Sequence, residues 1–211
     1  MQSRIPEPVP EGLKVIETMR AEADGRIALW SGHLARLRRD CAAVGFPLDE
    51  DRVADTLSGL SFAGPTRLRL TVDALSGIGL THAPLPPNPP FWRVQISTVR
   101  LDSDDPWLRI KTTHRPAYDT AREALAEGVD EAILLNQRDE VCEGTITNLF
   151  LRRDGRLLTP ALQCGLLPGV LRASLLARGE AEEAVLRPDD LSDGELLLGN
   201  ALRGLIPAQL L

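Results

Sequence analysis

Five prolines in nine residues, Ala83-Pro-Leu-Pro-Pro-Asn-Pro-Pro-Phe91, place the strongest constraint on how this chain folds. Proline fixes φ and has no N–H to donate, so neither a helix interior nor a central strand survives that composition. The stretch reads as a stiff, polyproline-like connector. It divides the chain into a small N-terminal lobe, residues 1–85, and a larger C-terminal lobe, residues 86–211. With 211 residues and 43% apolar content, there is enough material to bury a core. The net charge of −6 argues against a nucleic-acid partner, because binding a polyphosphate wants a basic surface. No apolar run approaches the roughly 18 residues of a bilayer span, and the opening segment lacks a signal peptide's apolar core, so the expected location is the cytoplasm. Cys41, Cys142 and Cys164 form no CxxC pair, and His33, His82 and His114 are scattered. Neither a disulfide framework nor a metal site is expected.

The patterning on either side of the connector mixes strands and helices. In the N-terminal lobe, Leu13 to Arg20 reads as a strand, Gly25 as a turn, and residues 33–44 as a helix. Leu34, Leu37, Cys41 and Val44 share one side of that helix, and Arg36 lies away from them. Residues 49–60 are helix-compatible, and Arg67 to Val72 alternates as a strand. Beyond the connector, Trp92 to Ser97 alternates again. A helix over 116–127 is closed by Gly128, a buried strand follows over 131–136, and another runs over 141–151. A helix over 168–178 ends at Gly179, and short elements at 182–187 and 189–191 precede a last strand beginning at Glu195. The fold class is α/β, in the segregated α+β sense.

Chemistry concentrates between Glu143 and Arg172. If residues 141–151 form one strand, side chains alternate, so Glu143, Thr145 and Thr147 share a polar face while Ile146 and Phe150 point to the core. Such a face lines a pocket for a polar heterocycle or is the solvent side of an edge strand. Pro168-Gly169 then leads into a helix whose free N–H groups, at Val170 and Leu171, offer an anion seat. On pattern alone, Arg36 is a solvated arginine, Lys111 a surface lysine, and Asn200 a turn residue beside Gly199.

The order of motifs changes that reading. Lys111-Thr-Thr-His-Arg-Pro-Ala-Tyr118, Glu143-Gly-Thr-Ile-Thr-Asn-Leu-Phe150, Thr159-Pro160 and Gly165-Leu-Leu-Pro-Gly-Val-Leu-Arg172 together resemble the fold-type IV pyridoxal-phosphate enzymes. That group comprises branched-chain aminotransferases, D-amino acid aminotransferases and aminodeoxychorismate lyases. Glu17-Thr-Met-Arg20, His33-Leu-Ala-Arg-Leu37 and Gly199-Asn-Ala-Leu-Arg-Gly204 extend the resemblance from about Glu17 to Pro207. It implies a two-lobed D-amino acid aminotransferase-like fold, with pyridoxal 5'-phosphate held between the lobes, and a homodimer. Lys111 takes the place of the Schiff-base lysine and Glu143 that of the partner of the pyridine nitrogen. Arg36, the N–H groups of Val170 and Leu171, and Asn200 take the phosphate. Thr145 and Thr147 become ring or substrate contacts, Tyr118 a contact for the cofactor hydroxyl, Arg20 one for a substrate carboxylate, and His33 a structural residue. The flanking motifs look most like the lyase branch, which splits 4-amino-4-deoxychorismate into pyruvate and 4-aminobenzoate for folate biosynthesis. A class IV aminotransferase using a keto-acid acceptor, or a cofactor binder without turnover, would carry the same core motifs.

Overall fold

The structure, a computed structural model, describes Ile5 and residues 8–211. Contacts divide the chain into two units, one ending at Pro87 but including Ile110–His114, the other made of Asn88–Arg109 and Arg115–Leu211.

The first unit is built on an antiparallel sheet in the order β1 (Lys14–Ala21), β2 (Thr66–Asp73), β3 (Ile78–Pro84). Alternation drives it: Leu68, Leu70 and Val72 are fully buried while Arg67 and Arg69 face out. Strand β3 lies where the sequence signalled only the approach to the connector. Its closing Pro84 is tolerated because β3 is an edge strand, where a missing donor breaks no interior ladder. Helix α1 (Trp30–Val44) packs on β1 and stops at Gly45, whose φ of 73° suits a residue without a Cβ. Helix α2 (Glu50–Leu57) is capped by Asp49, which accepts the Arg52 N–H at 3.0 Å. The Lys111 segment, expected with residues 86–211, groups with this unit instead. It runs antiparallel beside β1: Ile16 N–H donates to the Lys111 carbonyl at 2.9 Å, Thr113 N–H to the Lys14 carbonyl at 2.9 Å, and Val15 bridges Thr112.

The second unit contains an eight-stranded sheet in the order β10-β11-β4-β5-β6-β7-β8-β9. The strands are β4 (Trp92–Leu101), β5 (Glu131–Asn136), β6 (Val141–Gly144), β7 (Asn148–Arg153), β8 (Arg156–Pro160), β9 (Glu182–Ala184), β10 (Glu195–Asn200) and β11 (Gly204–Leu210). Because β10 also pairs with β7, six of these strands close on themselves, which covers the β10 edge and leaves β9 as the edge strand. Trp92, Val94, Ile133, Leu135, Val141, Leu149, Leu151, Leu196, Leu198 and Ile206 form one core, one face of successive strands. The other face of β5 and β6 offers Ala132, Leu134 and Cys142 to Ala121 of α3 (Pro116–Glu123). Strand β5 is therefore buried on both faces, which explains its unbroken apolar run. Phe150 and Leu197 pack on Leu175 of α4 (Val170–Ala177).

Three sequence expectations change. The helix over 116–127 ends at Glu123. The final segment is two antiparallel strands joined by a tight turn, rather than one strand and a loop. Residues 141–151 are a β6–β7 hairpin whose residues 145–147 form the bend, so the alternation assumed for one strand does not apply.

Candidate functional site

In the second unit, Glu143 and the threonines of the bend have different partners. Glu143, 4% exposed, accepts the Tyr118 hydroxyl at 2.6 Å and the Leu167 N–H at 2.9 Å on Oε1, and Asn148 Nδ2 at 3.1 Å on Oε2. Asn148 Nδ2 also donates to the Leu167 carbonyl at 2.9 Å, so it ties the hairpin to the segment entering α4. Glu143, next to last in β6, is thus a buried carboxylate oriented by these donors.

Thr145 and Thr147 do not share that face. Their hydroxyls donate to Glu131, a fully buried carboxylate at the start of β5. Glu131 also accepts the N–H groups of Thr145 at 2.9 Å and Ile146 at 3.1 Å. Arg122 Nη1 stands 3.5 Å from Glu131 and donates to Thr145 Oγ1 at 2.8 Å. The missed residue here is Glu131, the one charge heading an otherwise apolar strand. Ile146, expected in the core, sits at the tip of the bend and is 41% exposed. The Asn200 amide reaches the Ile146 carbonyl at 3.2 Å, and its Oδ1 accepts the N–H groups of Leu202 and Arg203 at 3.1 and 3.0 Å. Asn200 therefore fixes the β10–β11 turn and links it to the 145–147 bend.

The N-terminus of α4 belongs to the same neighbourhood. Its N-cap is Gly169, with no side-chain cap, so no side-chain oxygen satisfies the first-turn N–H groups of Val170 and Leu171. A Cβ added at Gly169 would lie 1.9 Å from Asn148 Oδ1, and one at Gly199 would lie 3.0 Å from Leu171 Cδ2. Glycine at both positions lets the hairpin, the β10–β11 turn and α4 approach closely. Arg172, fully buried, donates to the Pro160 carbonyl at 2.7 Å and to Glu183, which holds α4 on β8 and β9.

In the first unit, Arg36 is buried and bidentate on Glu17: Nε to Oε1 at 2.8 Å and Nη2 to Oε2 at 2.6 Å. The expectation that it lies away from the buried side of α1 is corrected, because the Glu17 charge offsets the cost of burying the guanidinium. His33, also buried, meets Glu17 Oε2 through Nδ1 at 2.7 Å. Burial pushes the Glu17 carboxyl upward, but Arg36 and His33 together hold it below its ordinary value. Asp40, one turn on, accepts the Lys111 backbone N–H at 2.8 Å and Arg39 Nε at 2.9 Å. Lys111 is thereby fixed at its backbone from both sides, by Asp40 and by β1. Burial pushes the Cys41 thiol up to about 12, helped by the Asp40 and Glu17 charges, so it offers no thiolate nucleophile at neutral pH.

In the second unit a buried carboxylate thus stands beside the uncapped N-terminus of α4. The sequence profile of amino-transferase class IV matches residues 14–211, and the chain belongs to that enzyme family. A crystal structure of a Mesorhizobium loti protein, described provisionally as an amino-acid aminotransferase, is 43% identical, with 94% of this chain and all of that chain covered and a TM-score of 0.88. The structure of 4-amino-4-deoxychorismate lyase from Pseudomonas aeruginosa is 26% identical over 93% of this chain and 82% of its own, with a TM-score of 0.77. A Schizosaccharomyces pombe protein provisionally named aminodeoxychorismate lyase is 26% identical over 85% of this chain and 83% of its own length. Among the described residues, no helix is long and apolar enough to cross a membrane.

Proposed function

We propose that this enzyme uses pyridoxal 5'-phosphate and resembles 4-amino-4-deoxychorismate lyase in releasing pyruvate and 4-aminobenzoate, a step toward folate. The observation that supports the cofactor assignment is the Glu143 carboxylate, buried and oriented by Tyr118, Leu167 and Asn148 on a class IV chain. Bound pyridoxal phosphate supplies an electron-accepting ring beside the reacting carbon. Lys111 would hold the group through its Nζ and would move a proton at the substrate carbon. Glu143 holds the proton on the ring nitrogen, where a fixed negative charge favours the protonated base. The N–H groups of Val170 and Leu171, the Asn200 turn and Arg36 hold the phosphate. For the helix the support is its uncapped positive end, and for Arg36 it is a guanidinium already fixed by Glu17. Thr145 and Thr147 act through the shape of the bend, since both hydroxyl protons go to Glu131. The protein works as a cytoplasmic homodimer, a reading supported by its resemblance to the family.

The lyase reading draws on the flanking motifs Glu17-Thr-Met-Arg20 and Gly199-Asn-Ala-Leu-Arg-Gly204, and on relatives carrying that name of which 83% and 82% are covered. A second reading, an aminotransferase, is favoured by the 43% identical Mesorhizobium loti neighbour. One assay separates them. Given aminodeoxychorismate and no keto acid, a lyase releases pyruvate and 4-aminobenzoate in equal amounts. No pyruvate, together with amino-acid loss that depends on added 2-oxoglutarate, selects the aminotransferase.

A further inference from the structure

Among the groups that meet Glu143 are the Tyr118 hydroxyl, the Leu167 N–H and the Asn148 amide. Tyr118 gives its single proton to Oε1 at 2.6 Å, beside the Leu167 N–H at 2.9 Å, while Asn148 holds Oε2 at 3.1 Å. The phenol is itself braced. The Arg115 guanidinium carbon lies 5.1 Å from the ring centroid, and Arg115 Nη2 donates to the Thr145 carbonyl at 2.6 Å. The ring packs against the cluster of Leu134, Cys142 and Leu166. Burial, then the Glu143 charge, push the phenol well above its ordinary pKa, so it stays a donor at neutral pH.

We propose that Tyr118 is a positioning residue acting through Glu143: its hydrogen bond orients that carboxylate and sets how firmly it holds the proton on the cofactor's ring nitrogen. The inference rests on the role of Glu143 given above and adds the residue that tunes it. A donor on a carboxylate withdraws part of its charge and restricts its rotation, and charge-assisted bonds of this length are about twice as strong as neutral ones. The family resemblance would put this phenol on the cofactor hydroxyl. While its one proton is on Oε1, it has none to give there.

The test compares wild type, Tyr118→Phe, Glu143→Gln and the double variant, each loaded with pyridoxal phosphate. Phenylalanine keeps the ring, its packing and the Arg115 stack, and a borohydride-reduced Lys111 peptide in each protein verifies that the site is loaded. The readouts are the near-visible absorption of the bound cofactor at fixed pH and kcat for whichever of the two reactions the enzyme performs. Tyr118→Phe alone is expected to change the absorption and to lower kcat about tenfold, the scale of a lost hydrogen bond to a charged group. In the Glu143→Gln background the same substitution is expected to change neither. Equal effects in both backgrounds would overturn the proposal, since the phenol would then act on the cofactor directly. An unchanged spectrum in Tyr118→Phe would also overturn it. If Glu143→Gln alone left spectrum and kcat at wild-type values, the assignment of Glu143 would fall first, and the two failures are thus told apart.

Discussion

Glu143 is a buried carboxylate oriented by donors from three places in the chain, Tyr118, Leu167 and Asn148. Replacing it with glutamine leaves an amide oxygen for Tyr118 and Leu167 but removes the charge that holds a proton on a ring nitrogen. Glu143→Gln is expected to keep cofactor binding and to raise the barrier by about 3 kcal/mol, roughly a hundredfold in kcat. Steady-state kinetics on the cofactor-saturated variant checks this. Glu17 makes a different prediction. Its carboxyl is held below the ordinary value of 4.5 by Arg36 and His33 against the opposing effect of burial. A depressed folded-state pKa stabilises the fold above pH 4.5 and loses that contribution as pH falls through the folded value. Urea midpoints measured downward from pH 5 should therefore decline in wild type and decline less in Glu17→Gln. A parallel decline would mean that other groups govern acid stability. Ordered motifs single out Glu143 and Lys111 as candidates, but no local pattern reveals pairings such as Glu17 with Arg36, 19 positions apart.

At the scale of elements, the 145–147 bend shows why alternation alone misplaced two threonines. Period-2 patterning cannot distinguish a long strand from two short ones, and here the deciding interaction is long-range: Glu131, 14 residues upstream, gathers the bend's N–H and hydroxyl groups. Helix α4 was legible because proline, glycine and an apolar run mark its start locally. Its closeness to the hairpin was not. Gly169 has φ −64°, a value open to alanine, yet a Cβ there would strike Asn148 Oδ1. Gly169→Ala is expected to displace Asn148 from Glu143 and to weaken pyridoxal-phosphate affinity about tenfold in a folded protein, read by equilibrium dialysis. Unchanged affinity would mean that α4 and Asn148 move apart without consequence. Phe150→Ala, which empties the contact with Leu157, Leu175 and Leu197, should cost about 3–5 kcal/mol in urea unfolding.

At the scale of the whole molecule, contacts divide the chain between Pro87 and Asn88, inside the proline-rich stretch, although Pro84 at its start still closes strand β3. That stretch did not announce that Ile110–His114 returns to the first unit, since pairing beside β1 is again a long-range event. A family chain of this kind is expected to sediment as a dimer with cofactor bound, and a monomeric holoenzyme would contradict the homodimer proposed above. The central claim is that Lys111, fixed by Asp40 and β1 at its backbone, carries the cofactor. Borohydride reduction of the protein loaded with pyridoxal phosphate, followed by peptide mapping, tests it most directly. The account predicts one stoichiometric pyridoxyl label, on Lys111. A label on Lys14, or no label, would contradict it.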